Sequence, residues 1–400
     1  MNDTEFNNTP ASERIHIGFF GKVNSGKSSL MNAVASQDIS IVSDVKGTTT
    51  DPVRKSMELL PIGAVMLYDT AGYEDDSAAG ELRIKKTLEI LRKTDIAVLV
   101  SDSGDFSEST DREFINEFEK LNIPYVLVHS KADLYKTKQD YKENEISVSA
   151  KTGAGIEELK KLICSIYLNS REDGKPLSLT EGLAGKESLV VLVTPIDASA
   201  PKGRLILPQV QTLRSLLDSF AITVTVQLSE LQGALKLLNR APDLVITDSQ
   251  VFSYVKDIVP ESVPLTSFSI LFARYKGILT QALEGIEKLK SLNDGDTVLI
   301  AEGCTHHRQC GDIGRDKLPL WINKFTGKNI FYEFTSGGEF PKDTSKYSLI
   351  VHCGGCMLNN REMEYRRLSA KAQNVPFTNF GILIAEINGI LERCTEFIKK

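Results

Sequence analysis

The sequence predicts an α/β protein of three domains, the first built on a mostly parallel sheet. Three observations carry this. Apolar strand-like runs alternate with helical stretches through most of the chain, as successive βαβ units require. The 400 residues exceed what one hydrophobic core accommodates, since domains run to about 100–200 residues. A polar, Gly/Pro/Ser-containing stretch, NSREDGKPLSLTEGLAGK at 169–186, interrupts the alternation and reads as a linker.

The first domain, 1–168, carries the strand runs IHIGFFG, AVMLYDT, DIAVLVSD, PYVLVHS and EISVSA between helical stretches such as SSLMNAVASQ, RIKKTLEILRK and IEELKKLICSIYL. The second, 187–264, alternates LVVLVTPID, AITVTVQ and DLVITDSQ with helices over QVQTLRSLLDSF, ELQGALKLLN and SYVKDIV. A sheet that small has little core of its own, which makes this block the candidate homodimerisation module, with a plain spacer domain as the alternative. The third, 265–400, is expected to open on one long helix, FSILFARYKGILTQALEGIEKLKSL, followed by the strand DTVLIAEG, a helix around PLWINKF and the strands IFYEFTS and YSLIVHC. No internal repeat is visible in the sequence.

Composition narrows the classes. With 41% hydrophobic residues, 25% charged residues and a net charge of −6, the chain is ordinary for a globular protein and has no general electrostatic reason to bind nucleic acid or an anionic membrane. It contains no apolar run of about 18 residues, and the polar stretch MNDTEFNNTPASER is not a secretory signal, so the cytoplasm is the expected compartment. In a reducing compartment, short cysteine clusters favour metal or redox chemistry over disulfides.

GKVNSGKS, 21–28, has the G-x-x-x-x-G-K-S spacing of a phosphate loop and stands between a strand and a helix. Gly21 and Gly26 let the backbone curl so that N–H groups face phosphate, Lys27 supplies charge to the β/γ oxygens, and Ser28 offers a hydroxyl to Mg²⁺. Asn24, Ser25 and Ser29 complete the loop and the first turn of the helix. DTAG, 69–72, ends a strand and puts Asp69 where a carboxylate holds Mg²⁺ through water and the Gly72 N–H where it meets a γ-phosphate. GTTTDP, 47–52, lies where a mobile loop closes a threonine onto the metal.

SKAD, 130–133, resembles the guanine-reading N/T-K-x-D motif, with Ser130 in the usual place of Asn, Lys131 beside it and Asp133 as acceptor of the guanine nitrogens. SAK, 149–151 (Ser149, Ala150, Lys151), resembles the supporting loop at the base oxygen. Together the five elements resemble a Ras-like P-loop GTPase of the translation-factor type, and most nearly its TrmE-like, potassium-activated branch. That resemblance implies GTP/GDP as ligand, Mg²⁺ on Ser28, Thr49 and Asp69, K⁺ at Asn24, and catalysis by Lys27, Thr49 and Glu81. Tyr73 follows DTAG, so no Ras-like glutamine stands there, and Glu81 matches the acid that orients water. Read from the residues alone, Glu81 is equally a solvated acid at the start of a helix.

EGCTHHRQC, 302–310, and LIVHCGGCML, 349–358, each follow a strand and together read C-x-H…H-C-x-x-C. The two glycines of CGGC permit a tight turn with N–H groups facing sulfur. Cys304, Cys353 and Cys356 with His306 or His352 satisfy a zinc tetrahedron, and the three thiolates alone satisfy a [4Fe–4S] cluster with one open iron; ligand count leaves both standing. Cys310 is an extra loop thiol.

This signature on a chain that opens with a TrmE-like GTPase resembles the HydF family of [FeFe]-hydrogenase maturation GTPases, as do GDIGRDKLP and PKGRLILPQVQ. The resemblance implies a C-terminal cluster-binding domain with [4Fe–4S] held by Cys304, Cys353 and Cys356, and His306 or His352 as candidate fourth ligand. It further implies a dimeric scaffold that receives a diiron precursor made with two radical-SAM maturases and delivers it to apo-hydrogenase. The competing reading, an RNA-modification or ribosome-assembly GTPase with structural zinc, calls for a basic face. The C-terminal block instead mixes its cations with acids (REMEYRR, LERCTEF).

Overall fold

The computed structural model describes residues 9–36, 43–45, 53–71, 86–103, 108–135, 141–170, 178–196, 205–304 and 312–398. The chain divides into two compact units, Met1–Asp173 and Gly174–Lys400.

In the first unit, IHIGFF forms β1 (Ile15–Phe20), buried at every position after its first. It sits inside a seven-stranded sheet with β2 (Ser43–Val45), β3 (Arg54–Leu59), β4 (Gly63–Asp69), β5 (Ile96–Asp102), β6 (Tyr125–Ser130) and β7 (Glu145–Ser147), in the order β2-β3-β4-β1-β5-β6-β7. Pairing is parallel from β4 through β7, and only β2 with β3 and β3 with β4 run antiparallel. The sheet is mostly parallel, as its apolar runs predict, because both faces are covered. Ile17, Phe19, Val98 and Val126 share a core with the helices Lys27–Ser36 and Ile156–Asn169, while Phe20, Leu99, Phe114 and Phe118 form a core on the other face. β3 escapes the sequence reading because RKSMEL buries only Met57 and Leu59 and so lacks an apolar run.

The second unit holds two four-stranded, all-parallel sheets. The first consists of β8 (Leu189–Val193), β9 (Ile222–Val226), β10 (Leu244–Thr247) and β11 (Leu265–Ser267) in the order β11-β10-β8-β9. The second consists of β12 (Thr297–Ala301), β13 (Phe331–Thr335), β14 (Leu349–His352) and β15 (Phe377–Asn379) in the order β13-β12-β14-β15. The two orders are the same: each first strand has its second on one side and its third and fourth on the other.

Two expectations are corrected here. The residues from Leu265 onward do not open a long helix. Leu265–Ser267 is the last strand of the first small sheet, Ser267 caps the helix Phe268–Tyr275 by accepting from the Ile270 N–H, and Gly277 at φ 70° separates that helix from Leu279–Ile286. Nor is the chain free of repeats. Asn379 caps the helix Phe380–Ile387 through the Ile382 N–H, and Gly389 at φ 68° separates it from Leu391–Thr395. VPLTSFSILFARYKGIL, 263–279, thus has its counterpart in VPFTNFGILIAEINGIL, 375–391, with the same strand, cap, helix and break.

The two copies interlock. Leu279–Ile286 follows β11 but packs on β15: Thr378 Oγ1 donates to Ala282 O at 2.9 Å, and a Cβ on Gly285 would stand 2.2 Å from Phe377 O. Reciprocally, Leu391–Thr395 follows β15 but lies against β11, and Arg393 Nη2 donates to Val259 O and Val263 O at 3.0 and 3.2 Å. A continuous apolar core from Val190 to Ile398 results.

His16 in β1 is 4% exposed, its main-chain N–H donates to Asp95 Oδ2 at 2.8 Å, and burial pushes its pKa down to about 4. The unfolded value is about 6.5, so between the two the folded chain binds fewer protons than the unfolded one and stability rises with pH. As pH falls from about 6.5 toward 4, the fold should lose up to about 1.4 kcal/mol per pH unit on this account. Urea unfolding of the whole chain across that range measures the slope, and His16→Gln is expected to flatten it.

Candidate functional site

The phosphate loop leaves β1 at its C-terminal end, where open α/β sheets build their sites. Gly21 takes φ 140° and passes so close to β5 that a Cβ would stand 2.2 Å from Val100 O, a position open to glycine alone. Gly26 takes φ 96° and Asn24, exposed at the loop's tip, φ 62°. Lys27 is buried and folds back over the loop, donating to Gly21 O at 3.0 Å and Lys22 O at 2.5 Å. Burial lowers its pKa while Asp69 opposes that, and its Nζ stands over the loop where phosphate oxygens are expected.

Asp69 ends β4, opposite Phe19 in register. Its Oδ2 accepts from Ser28 Oγ at 2.5 Å, whereas its buried Oδ1 has no hydrogen-bond partner. Burial raises the pKa of this carboxyl, against the Ser28 hydroxyl and the Lys27 charge. A buried carboxylate oxygen without a partner beside a serine hydroxyl fits a hydrated Mg²⁺. Ser28 and Asp69 would hold that ion, which when bound neutralises charge on the phosphate oxygens. Ser29 is exposed on the first turn of the same helix.

The expected base-reading loops leave β6 and β7 side by side. Ser130 is buried, and its Oγ lies 2.7 Å from Ser25 O and 3.1 Å from Ser101 O, so the hydroxyl ties the phosphate loop to β5. Lys131, at φ 59°, sends its Nζ to within 2.5 Å of Asp102 Oδ2. Asp133 is exposed and accepts from Ser149 Oγ at 2.7 Å, which holds its carboxyl below the usual range and keeps it an acceptor. Ser149 is fixed in turn because its N–H donates to Ala154 O and its carbonyl accepts from Gly153. Ala150 and Lys151 continue that turn. Sequence reasoning did not anticipate the Ser130 tie, which only the approach of β6 to the loop creates. Thr49, Gly72 and Glu81 lie outside the described residues.

The cysteine segments occupy the corresponding edge of the last sheet. β12 and β14 are adjacent and parallel, with Ala301 opposite His352, although β13 separates them in sequence. This is a topological switch point, where the loops after two neighbouring strands diverge and leave a crevice. Gly303 and Cys304 leave one strand there, and Cys353-Gly354-Gly355-Cys356 leaves the other. The Gly303 N–H donates to Cys353 Sγ at 3.0 Å and the Gly355 N–H at 3.4 Å. Gly355, at φ 67°, closes the turn over Met363, whose Sδ a Cβ would meet at 2.6 Å. Burial raises the Cys353 thiol and pushes Cys356 up to about 12, with Cys353 adding to the latter and Lys276 opposing it.

Paired thiols with main-chain N–H groups aimed at sulfur fit a thiolate-bound metal centre, whose binding would release the thiol protons to solvent. Among the described residues, no three His, Cys, Asp or Glu side chains stand close enough to hold one metal ion. His306 and Cys310 lie outside the described residues. His352 is wholly buried. Arg366 Nη1 donates to its Nε2 at 3.0 Å, so Nε2 is the acceptor and Nδ1–H donates to Cys353 O at 2.8 Å. Burial and the Arg366 charge push its pKa down to about 3. In this geometry His352 has no lone pair free for a metal and instead braces the turn from behind.

Comparison with known proteins completes the picture. Residues 16–131 match the model of the 50S ribosome-binding GTPase family. Residues 179–277 match the hydrogen maturase F dimerization domain, and 280–397 the hydrogen maturase F tetramerization domain, so that these two spans take in more than half of the chain. The chain belongs to the hydrogen maturase F family. Its break between the two matched spans falls at the Gly277 turn, and the cysteine turn lies inside the second.

Beyond this family, the chain is 32% identical over 198 residues to the tRNA modification GTPase MnmE of Rhizobium etli, covering 48% of this chain and 43% of that protein. It is 34% identical over 177 residues to GTPase Der of Wolinella succinogenes, covering 40% of this chain and 37% of that one. The chain thus spans about two fifths of these relatives. Elongation factor SelB of Methanococcus maripaludis, solved with a GTP analogue, matches at 24% identity and TM-score 0.32 over 40% of this chain and 34% of that one.

Gly21→Ala should abolish binding of a fluorescent GTP analogue, because the new Cβ collides with the β5 backbone. Ser130→Ala leaves two carbonyls without their hydroxyl donor. It should weaken binding by about 1–2 kcal/mol, roughly five- to thirtyfold in Kd, in the same titration.

Proposed function

We propose that the chain is a GTP-hydrolysing scaffold of [FeFe]-hydrogenase maturation that holds a [4Fe–4S] cluster on Cys304, Cys353 and Cys356. The observation that carries this reading is the thiol pair with its N–H donors at a switch point, within a chain that also bears the phosphate loop and both HydF-specific spans. The cluster, when bound, supplies an iron with an exchangeable coordination position. The chain carries the diiron precursor of the hydrogenase centre from two radical-SAM maturases to the apo-hydrogenase. It acts as an oligomer built on 187–264 and 265–400, in the cytoplasm. Among the described residues, no helix is long and apolar enough to cross a membrane.

In GTP turnover, which is slow and stimulated by K⁺ at Asn24, Lys27 meets the β/γ oxygens, and Ser28, Thr49 and Asp69 hold Mg²⁺. Gly72 contacts the γ-phosphate and Glu81 orients water. Asp133 reads guanine with support from Lys131, Ser149, Ala150 and Lys151, while Ser130 keeps the phosphate loop in register with that pocket. With both ring nitrogens of His352 engaged, His306 is the candidate fourth ligand among the histidines.

Anaerobic purification with iron, sulfide and zinc analysis tests the cluster. About four irons per chain are expected, with a reduced-cluster paramagnetic resonance signal lost in Cys304→Ala, Cys353→Ala and Cys356→Ala. One bound zinc and no iron after reconstitution would replace this reading by the zinc-bearing RNA GTPase. GTP turnover should rise when K⁺ replaces Na⁺ and fall at least a hundredfold in Lys27→Ala.

A further inference from the structure

The wall behind the cysteine turn belongs to the other copy of the repeat. Ser269, Phe272 and Lys276 lie at i, i+3 and i+7 along the helix Phe268–Tyr275 and its C-terminal residue, so they share one face. A Cβ on Gly354 would stand 3.5 Å from Ser269 Oγ and 3.7 Å from Phe272 Cβ, ordinary contact distances. Lys276 is 6% exposed, and its Nζ donates to Leu358 O at 2.6 Å, two residues past Cys356. The 354–358 turn therefore lies along a helix of the first copy, with a buried ammonium at its end.

The repeat provides an internal control. The equivalent of Lys276 is Asn388, at the end of Phe380–Ile387, which lies beside Ser249–Val251 in the first copy. That turn has no cysteine. Asn388 is neutral, its Nδ2 folds back to Ile384 O at 2.8 Å, and its carbonyl accepts from Lys256 Nζ at 3.1 Å. The same junction thus occurs twice: the helix position itself carries a cation only in the copy whose neighbouring turn bears thiols, while at the other junction the ammonium comes from Lys256 on a different helix.

We propose that Lys276, carried by the 179–277 span, is a charged positioning residue of the cysteine turn, stabilising the negative charge of a thiolate-bound cluster. This rests on the cluster reading given above. Three thiolates leave a [4Fe–4S] cluster net negative, and reduction adds a further negative charge, so a fixed cation nearby favours the reduced form.

The test is a dithionite titration of anaerobically reconstituted full-length protein, followed by paramagnetic resonance, with Lys276→Met, Lys276→Gln and Lys276→Arg. Gln keeps a donor for Leu358 O but loses the charge. Met and Gln should raise the ratio of oxidised to reduced cluster at a fixed potential at least threefold, and Arg should stay within twofold of wild type. If wild type holds about four irons and Gln and Met titrate as wild type does, the proposal is overturned, and a lower melting temperature in Met alone would assign Lys276 a structural role only. A wild type with zinc and no iron removes the cluster reading and this proposal with it, an outcome that metal content alone distinguishes.

Discussion

Parallel strands that pair side by side but part in sequence hold the chemistry of this chain. β1 lies between β4 and β5, and β12 between β13 and β14, so each central strand ends beside a neighbour whose following segment runs elsewhere. The pairing of Phe19 with Asp69 brings the Asp69 carboxylate to Ser28 at the phosphate loop, and the pairing of Ala301 with His352 brings Gly303 to the cysteine turn. Shifting either register by one residue would turn those side chains to the opposite face.

Each site is then stiffened by buried polar groups that find partners inside the protein. The Ser130 hydroxyl joins β6, the phosphate loop and β5. Behind the cysteine turn, Arg366 is fully buried and reaches Glu362 at 2.9 Å, His352 at 3.0 Å and Gly337 O at 2.6 Å, with Phe340 under its guanidinium plane. A buried charge is tolerated only when its donors are met in this way. The network keeps His352 neutral and engages both its nitrogens, so that the histidine braces the cysteine turn from behind.

The duplicated half shows why two spans with separate family models share one core. Each copy sends the second helix after its fourth strand onto the fourth strand of the other, so neither closes its apolar surface alone. The exchange also carries the helix Phe268–Tyr275, which belongs to the span named for dimerization, under the turn that bears the thiols. Movement of one copy is thereby mechanically tied to the geometry of the other.

The alternation of apolar runs, the G-x-x-x-x-G-K-S spacing and the clustered cysteines were legible because each is local: periodicity, turn chemistry and ligand type are written within a few residues. β3 and β11 were not legible, since a half-buried strand next to the sheet edge and a three-residue strand running into a capped helix carry no apolar run of their own. The repeat was hidden because its likeness is concentrated in one strand and the helices after it, while the loops between the earlier strands diverged in length and composition. Residue chemistry determined that Lys27, Asp69, Cys353 and Cys356 are the groups to consider. Only tertiary structure decided that Ser130 serves the phosphate loop, that both His352 nitrogens are engaged, one of them by Arg366, and that Lys276 stands behind the thiols, because each depends on segments 14 to 105 residues apart being packed into contact.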